Sequence, residues 1–366
     1  MNKKTLLILS LLIFSALLFS GCIDFFTTQA NKRTYTSHPT KISYTIKYGY
    51  HINTSGTGDY EITYDCYLPQ ILKGTISTYL LYEQDNENKI APNNNFIRWN
   101  IKNNTINSYQ LGIMANVEAE TFMISDLTGN NSLDIPMIKN RYPTIFSQYT
   151  KNQIINNKTF IDTNNSNIKT TAQNILNESG TKNAFIVAKN LFIWLKENTE
   201  YKTHSSNEAK VQPATVTYQK KTGDCDDLSI LYISLCRSID IPARLVRGYL
   251  IEEKENDIIA IPHAWVEVFV GGDIGYNGWI SVECACTASN CDAQIDQNFA
   301  IESVDHLRVF VDYGSNESLN ASISGPRIKY DETQKIDIES FAIVTNYKIL
   351  ESKELVVEDN TKRYYQ

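Results

Sequence analysis

Histidine is scarce in this sequence, with five among 366 residues, and so is any excess of positive charge. Lysine and arginine total 34 against 41 aspartates and glutamates, a net charge of −7, and no basic stripe is visible. Neutralising phosphates needs clustered cations, so nucleic acid is excluded as the expected partner. A hydrophobic content of 42% with 20% charged residues equally excludes a disordered chain. What remains is a globular protein with an acidic surface, and 366 residues are enough for two folded units with substantial cores.

The first residues stand apart from the fold. MNKK supplies a positive start, and TLLILSLLIFSALLF is an apolar stretch of signal-peptide length. Leu18-Phe19-Ser20-Gly21-Cys22 then resembles a lipoprotein signal, in which cleavage leaves Cys22 as a lipidated N-terminus. A plain signal anchor is the competing reading, with Thr5 to Phe19 and their flanks as a membrane helix. Both make residues 1–22 a signal or anchor and 23–40 a polar tether, with the body held at a membrane and facing the cell exterior. Asn-x-Ser/Thr sequons begin at Asn53, Asn103, Asn130, Asn157, Asn164, Asn177, Asn316 and Asn320. They agree with an external address, and their cluster implies exposed loop between 100 and 180.

From Lys41 to about residue 125, stretches such as ISYTIKYGYHI, YEITYDCYLP and FIRWNI are rich in Tyr, Ile and Thr. Their period-two alternation and polar breaks predict a small antiparallel β unit. Tyrosine suits a half-buried pleat, so its abundance there reads as structural. Residues 126–167 read as an irregular, asparagine-rich connector. From 168 the period changes to that of helices, and Ala184, Val187, Ala188, Leu191, Trp194 and Leu195 share one face. After a loop over 200–223, DDLSILYISLCRSIDIPAR carries a stripe of Leu228, Leu231, Leu235 and Ile239, stopped by Pro242. Strand signals follow in RLVRGYLIEE, HAWVEVFV and GWISVEC. A helix that opens at Cys225 and leads into an antiparallel sheet defines an α+β unit over 168–300. A β-like extension over 301–366 follows, with no chemistry evident in it.

One cysteine is oddly placed. In TGDCDDLS, Cys225 lies among Asp224, Asp226 and Asp227, yet thiol chemistry needs an anion. Cys225 follows Gly223 and opens a helix, where backbone amides and the helix dipole favour a thiolate. A nucleophilic cysteine also needs a base, a group to orient that base, and donors for the oxyanion. His38 lies in the tether, His51 in the β unit, His204 in a loop and His306 in the tail. His263 instead leads the alternating strand HAWVEVFV, and Glu283 stands on the next predicted strand. If 263–269 and 279–283 pair across GGDIGYNG, the two side chains approach from one edge. Cys225 is then the nucleophile, His263 the base and Glu283 the orienting acid. A Cys225–His263 ion pair would outweigh the repulsion of the aspartates.

The segment from about Ala184 to Glu283 resembles the transglutaminase-like superfamily, whose members share a papain-like fold. The residues that carry the resemblance are TGDCDDLSILYISLCRSIDIPARLVRGYL, HAWVEVFV and GWISVEC. It implies a transglutaminase-like α+β domain with the cysteine at the N-terminus of a helix packed on an antiparallel sheet, preceded here by a small all-β domain. It also implies the same roles for Cys225, His263 and Glu283, and a peptide or protein substrate whose amide forms a thioester, resolved by water or an amine. This chemistry requires no metal and no cofactor. Glu283 departs from the family's commoner aspartate, being longer by one methylene, and Asp273 is a weaker substitute. For the oxyanion, the Cys225 amide is one donor, and Gln219 has the spacing of the glutamine in papain-like proteases.

Of the other cysteines, Cys236 reads as a small core residue. Cys284, Cys286 and Cys291 follow Glu283 directly. A disulfide such as Cys284–Cys291, or one to Cys66, suits an external protein and would pin Glu283. Free thiols are the other reading, and C-x-C-x4-C is not a standard zinc spacing. The expectation is a membrane-tethered, extracytoplasmic thiol enzyme favouring hydrolysis, since water is in excess and no amine pocket is in view. The alternative is a non-catalytic binding or scaffold module that keeps the fold.

Overall fold

The computed structural model describes residues 31–204, 211–285, 290–321 and 325–366. The signal or anchor expected over 1–22, Cys22 with it, lies outside them, as do residues 23–30 of the expected tether and Cys286. No helix among the described residues is long and apolar enough to cross a membrane.

Six strands build the β unit: β1 (Lys32–Gly56), β2 (Tyr60–Tyr67), β3 (Gly74–Leu80), β4 (Asn86–Ala91), β5 (Asn94–Asn103) and β6 (Ser108–Glu120). Successive strand residues face opposite ways, and Ile42, Tyr44, Ile46 and Tyr48 of β1 are buried. They meet Ile62, Tyr64, Trp99 and Ile101 of β2 and β5 in one apolar cluster. Burial of these large side chains, about 1.5–3 kcal/mol each, is what holds the two sheets together.

Residues 126–167, expected to be irregular, instead hold α1 (Ile135–Arg141), α2 (Pro143–Tyr149) and a hairpin of 153–155 with 158–161. Proline occupies the first turn of both helices, where its fixed φ suits the start and its missing N–H is not needed. Ile135, Ile138 and Tyr149 anchor the segment in the core. The two helices are only seven residues each and are flanked by asparagine-rich chain, which hides their short run of helical spacing.

α3 (Ser166–Glu178) and α4 (Ala184–Asn198) start at the capping side chains of Asn165 and Asn183. On α4 the expected face is fully buried at Ala184, Val187, Ala188, Leu191 and Leu195. α5 (Ala214–Lys220) then leads to α6 (Cys225–Ser238), the central element. Leu228, Leu231 and Leu235 of α6 are fully buried, and Tyr232 donates to the Ala188 carbonyl at 2.8 Å.

α6 rests on β7 (Ala243–Lys254) and β8 (Asp257–Phe269), continued by β9 (Trp279–Val282), α7 (Cys291–Asn298) and β10 (His306–Val311). β11 (Arg327–Tyr330) pairs with β2. β12 (Gln334–Glu358) runs antiparallel to β1 from Lys32↔Glu358 to Gly56↔Gln334, and β13 (Lys362–Tyr365) folds back on β12. The nine-stranded sheet has the order β10-β7-β8-β12-β1-β6-β3, with β9 on β8 and β13 on β12. One sheet therefore continues from the β unit into the half that carries Cys225. The architecture is α+β, with Cys225 at the N-terminus of a helix packed on antiparallel strands.

Two expectations need correction. Residues 32–40, read as tether, are strand because β12 supplies them with a partner some three hundred residues later, as in Lys32↔Glu358. Neither expected disulfide is present, since Cys66 and Cys291 are free thiols. Cys66 points into the β-unit core, whereas Cys284 belongs to the separate cluster around α6. Cys291 opens α7 instead of reaching back to Cys284.

Candidate active site

The aspartates around Cys225 build the helix start. Asp224 is the N-cap of α6, its Oδ1 accepting from the amides of Asp226 and Asp227 at 3.2 and 3.4 Å. Asp227 Oδ2 accepts the Asp224 amide in return at 3.2 Å, closing a capping box. Asp227 also accepts the Gln212 amide at 2.7 Å and its Nε2 at 2.8 Å, and stands 2.7 Å from His204 Nε2. Asp226 forms an ion pair with Arg247 at 2.7 Å, although the two groups are not aligned for a hydrogen bond. Each carboxylate thus has its own partner, and the Cys225 amide is left at the mouth of the helix.

His263 comes from β8, opposite Gly248 on β7. β8 and β9 pair from Val266↔Val282 to Phe269↔Trp279, so the chain leaving β9 places Glu283 level with the His263 end of β8. His263 Nε2 lies 2.7 Å from Glu283 Oε2. Cys225 lines the same cavity as His263, and its side chain is among the groups that favour the charged imidazole. Sequence spacing therefore named three side chains of which the fold joins His263 to Glu283 directly and sets Cys225 in the same cavity as His263.

A further histidine joins them. His306, at the start of β10, sets its Nε2 2.9 Å from the same Glu283 oxygen and its Nδ1 2.7 Å from Asp305 Oδ1. Burial would push His263 down, but the charge of Glu283, the Cys225 side chain and the hydrogen bond His263 donates to Glu283 raise it to about 10. Burial likewise opposes the charge on His306, while Asp305 and Glu283 raise it to about 10. The Glu283 carboxyl would rise on burial, yet the two histidines hold it well below the usual carboxylate range. Two imidazolium rings therefore share one carboxylate, with Asp305 as the second counter-charge. Nothing in the sequence around DHLRVFV distinguished His306 except that it too leads an alternating strand.

Beneath the histidines the same strand faces continue as a closed set of charges. His263, Trp265 and Glu267 alternate along β8 with Ala264, Val266 and Val268, which join the α6 core. Trp265 Nε1 and Ser281 Oγ donate to Glu302 Oε2 at 3.0 and 2.9 Å. Arg308 bridges Glu302 and Glu267, and Arg244 donates to Glu267 at 2.7 Å. Two arginines and two glutamates balance, which is the condition for burying them.

Cys225 and His263 open onto a cavity of about 220 Å³. Its walls include Tyr48, Tyr50 and Tyr64 of the β unit and Tyr249 of β7. The tyrosines expected to be purely structural thus also line the approach to the thiol. Tyr201 is pushed up to about 12 by burial, by Cys225 and by the acidic groups around it, and so remains a neutral phenol. Gln219 is exposed in the last turn of α5 and does not line this cavity, and Asp273 is exposed in the turn between β8 and β9. Among the described residues, three groups could offer metal ligands: His263 with Glu283 and His306, His204 with Asp224 and Asp227, and Asp224 with Cys225 and Asp226. In the first two, direct contacts at 2.7–2.9 Å already use the ligand atoms.

A family model of the transglutaminase-like superfamily matches residues 169–284, which span α3 to Glu283. Residues 169–284 are a transglutaminase-like domain. No curated protein matches the chain by sequence. Among solved structures, a candidate cysteine protease from Cytophaga hutchinsonii is 14% identical, covering 92% of this chain and 100% of its own, with a TM-score of 0.48. The periplasmic domain of TgpA from Pseudomonas aeruginosa, bound to ethylmercury, is also 14% identical, covering 72% of this chain and 94% of its own, with a TM-score of 0.35. The transglutaminase-like domain ends at the residues just after Glu283, so His306 and Asp305 reach it from the C-terminal extension.

Proposed function

We propose that the protein is a membrane-tethered, extracytoplasmic thiol enzyme that acts on amide bonds of peptides or proteins through a Cys225 thioester. The observation that carries this reading is that His263, bonded at Nε2 to the Glu283 carboxylate, lines the same tyrosine-walled cavity as Cys225. A protonated His263 favours the thiolate beside it. The sulfur attacks the carbonyl carbon, and the developing oxyanion meets the Cys225 amide at the positive end of α6. His263 gives its proton to the leaving nitrogen as the C–N bond breaks, then takes one from the water that attacks the thioester. The carboxylic acid leaves, and the thiolate–imidazolium pair is restored.

Hydrolysis is favoured over transfer to an amine because water is in excess at an external address, which the apolar N-terminus and Gly21-Cys22 support. Two measurements test the reading. Mass mapping after iodoacetamide treatment should find Cys225 alkylated at pH 6, well ahead of Cys291. A Cys225 that reacts only as the pH passes about 8 would turn the reading toward a non-catalytic scaffold. Turnover of casein peptides in ¹⁸O-water with added alkylamine separates the products, and amine incorporation without ¹⁸O uptake would replace hydrolysis by transamidation.

A further inference from the structure

We propose that His306 is a positioning residue, a clamp that holds the Glu283 carboxylate in the orientation His263 requires. The inference rests on the thiol-enzyme reading above and adds a residue from outside the matched domain. Glutamate has one more rotatable bond than aspartate, so a carboxylate at this position needs more holding to serve a histidine. Glu283 is held at both oxygens. Oε1 accepts the Ala285 amide at 2.6 Å, while Oε2 faces His263 at 2.7 Å and His306 at 2.9 Å. With one bond to the backbone and two to imidazoles, the group cannot rotate without breaking a charge-assisted contact.

The clamp is itself fixed. His306 Nδ1 is 2.7 Å from Asp305 Oδ1, which also accepts from Ser303 Oγ at 2.6 Å. Its ring meets Trp265 edge-on at 4.9 Å, and its neighbour His263 is 5.5 Å away, centroid to centroid. The charged and titratable groups facing His306 are Asp305, Glu283 and His263, with Tyr44 and Tyr347 beyond Asp305. Those facing His263 are Glu283, Cys225, His306 and Asp226. His306 therefore acts twice on His263, in opposite senses. Its N–H fixes the carboxylate that keeps His263 protonated, and its charge repels the His263 proton.

Two variants separate these effects. His306→Ala removes both donor and charge; Cys225 alkylation by iodoacetamide at pH 7 should fall about tenfold, the worth of one hydrogen bond to a charged group. The alkaline loss of His263 protonation should move to lower pH. His306→Gln keeps a donor without the charge; it should retain most of the rate and move the alkaline limb to higher pH. A merely structural residue would not give opposite shifts. Wild-type profiles in both variants, or a His306→Gln profile that falls with His306→Ala, would overturn the clamp. Should the variants unfold, histidine-ring NMR of the wild-type protein decides: His306 should stay protonated beyond pH 8, and titration near 6.5 sinks the proposal. A wild-type thiol without low-pH reactivity would refute the enzyme reading and this inference with it. Reactive wild-type thiol with indifferent variants refutes the clamp alone.

Discussion

Glu283→Gln is the substitution whose outcome the geometry defines most sharply. Glu283 accepts three hydrogen bonds, from His263, from His306 and from the Ala285 amide. A carboxamide has one acceptor atom where the carboxylate has two. Whichever way it turns, an N–H meets an N–H, either at Ala285 or at the two imidazoles, unless a histidine gives up its proton. Each charge-assisted bond is worth about 1.5–3 kcal/mol, and with the carboxylate gone burial and the His306 charge push His263 down, opposed only by Cys225. The imidazolium that pairs with the proposed nucleophile is then lost at neutral pH. An ordinary thiol of pKa about 8.5 is about 1% ionised at pH 6.5. Alkylation of Cys225 at that pH should therefore drop roughly 100-fold, with a new rise above pH 8. The assay is iodoacetamide labelling read by mass mapping, with Cys291 as internal reference and a melting curve to confirm folding. A folded Glu283→Gln protein that keeps the low-pH plateau would refute the argument that Glu283 sustains the His263 charge.

Other outcomes follow from the same contacts. Stability against urea should peak between about pH 5 and 6.5: the depressed carboxyls of Glu283, Glu267 and Asp305 contribute above their unfolded values and lose that contribution as pH falls. His263 and His306, raised to about 10, contribute fully below about 6.5 and lose it as pH climbs through 10; a urea midpoint rising from pH 7 to 9 would contradict this. Gly248→Ala should destabilise by about 1–3 kcal/mol, since a Cβ there would lie 1.8 Å from the Leu307 carbonyl oxygen on β10. Calorimetry would show that loss, and an unchanged melting temperature would mean that β7 and β10 can separate freely. Arg363→Leu should cost roughly 3 kcal/mol or more by denaturant titration. The fully buried guanidinium donates to the carbonyls of Ile124, Asp296 and Ala300 at 2.8, 3.0 and 2.6 Å, and a neutral result would mean that those carbonyls find other donors.

Local pattern made much of this legible. The stripe of Leu228, Leu231 and Leu235 and the alternation of HAWVEVFV have periods that only a helix and a strand can satisfy with one face buried. The capping box of Asp224 and Asp227 is equally local, spanning four consecutive residues, although in the sequence these acids stand out only as neighbours of the thiol. Proximity of His263 to Glu283 was readable because a short turn between adjacent strands leaves few registers. The helices at 135–149 are short, seven residues each, and broken by Pro143, so the helical spacing of Ile135, Ile138, Tyr142, Ile145 and Tyr149 is masked by the asparagine-rich chain on either side.

What the sequence by itself determined is which side chains have the chemistry: a thiol at a helix start, an imidazole at a strand end and an acid on the next strand. Only the tertiary structure decided who shares them. β12 returns to β1 across the length of the chain and carries the tyrosine-bearing sheet to the cavity wall. β10 delivers His306 to Glu283 from beyond the matched domain. Those contacts join residues far apart in the chain, and they follow from sheet order and burial, which no local window of sequence contains.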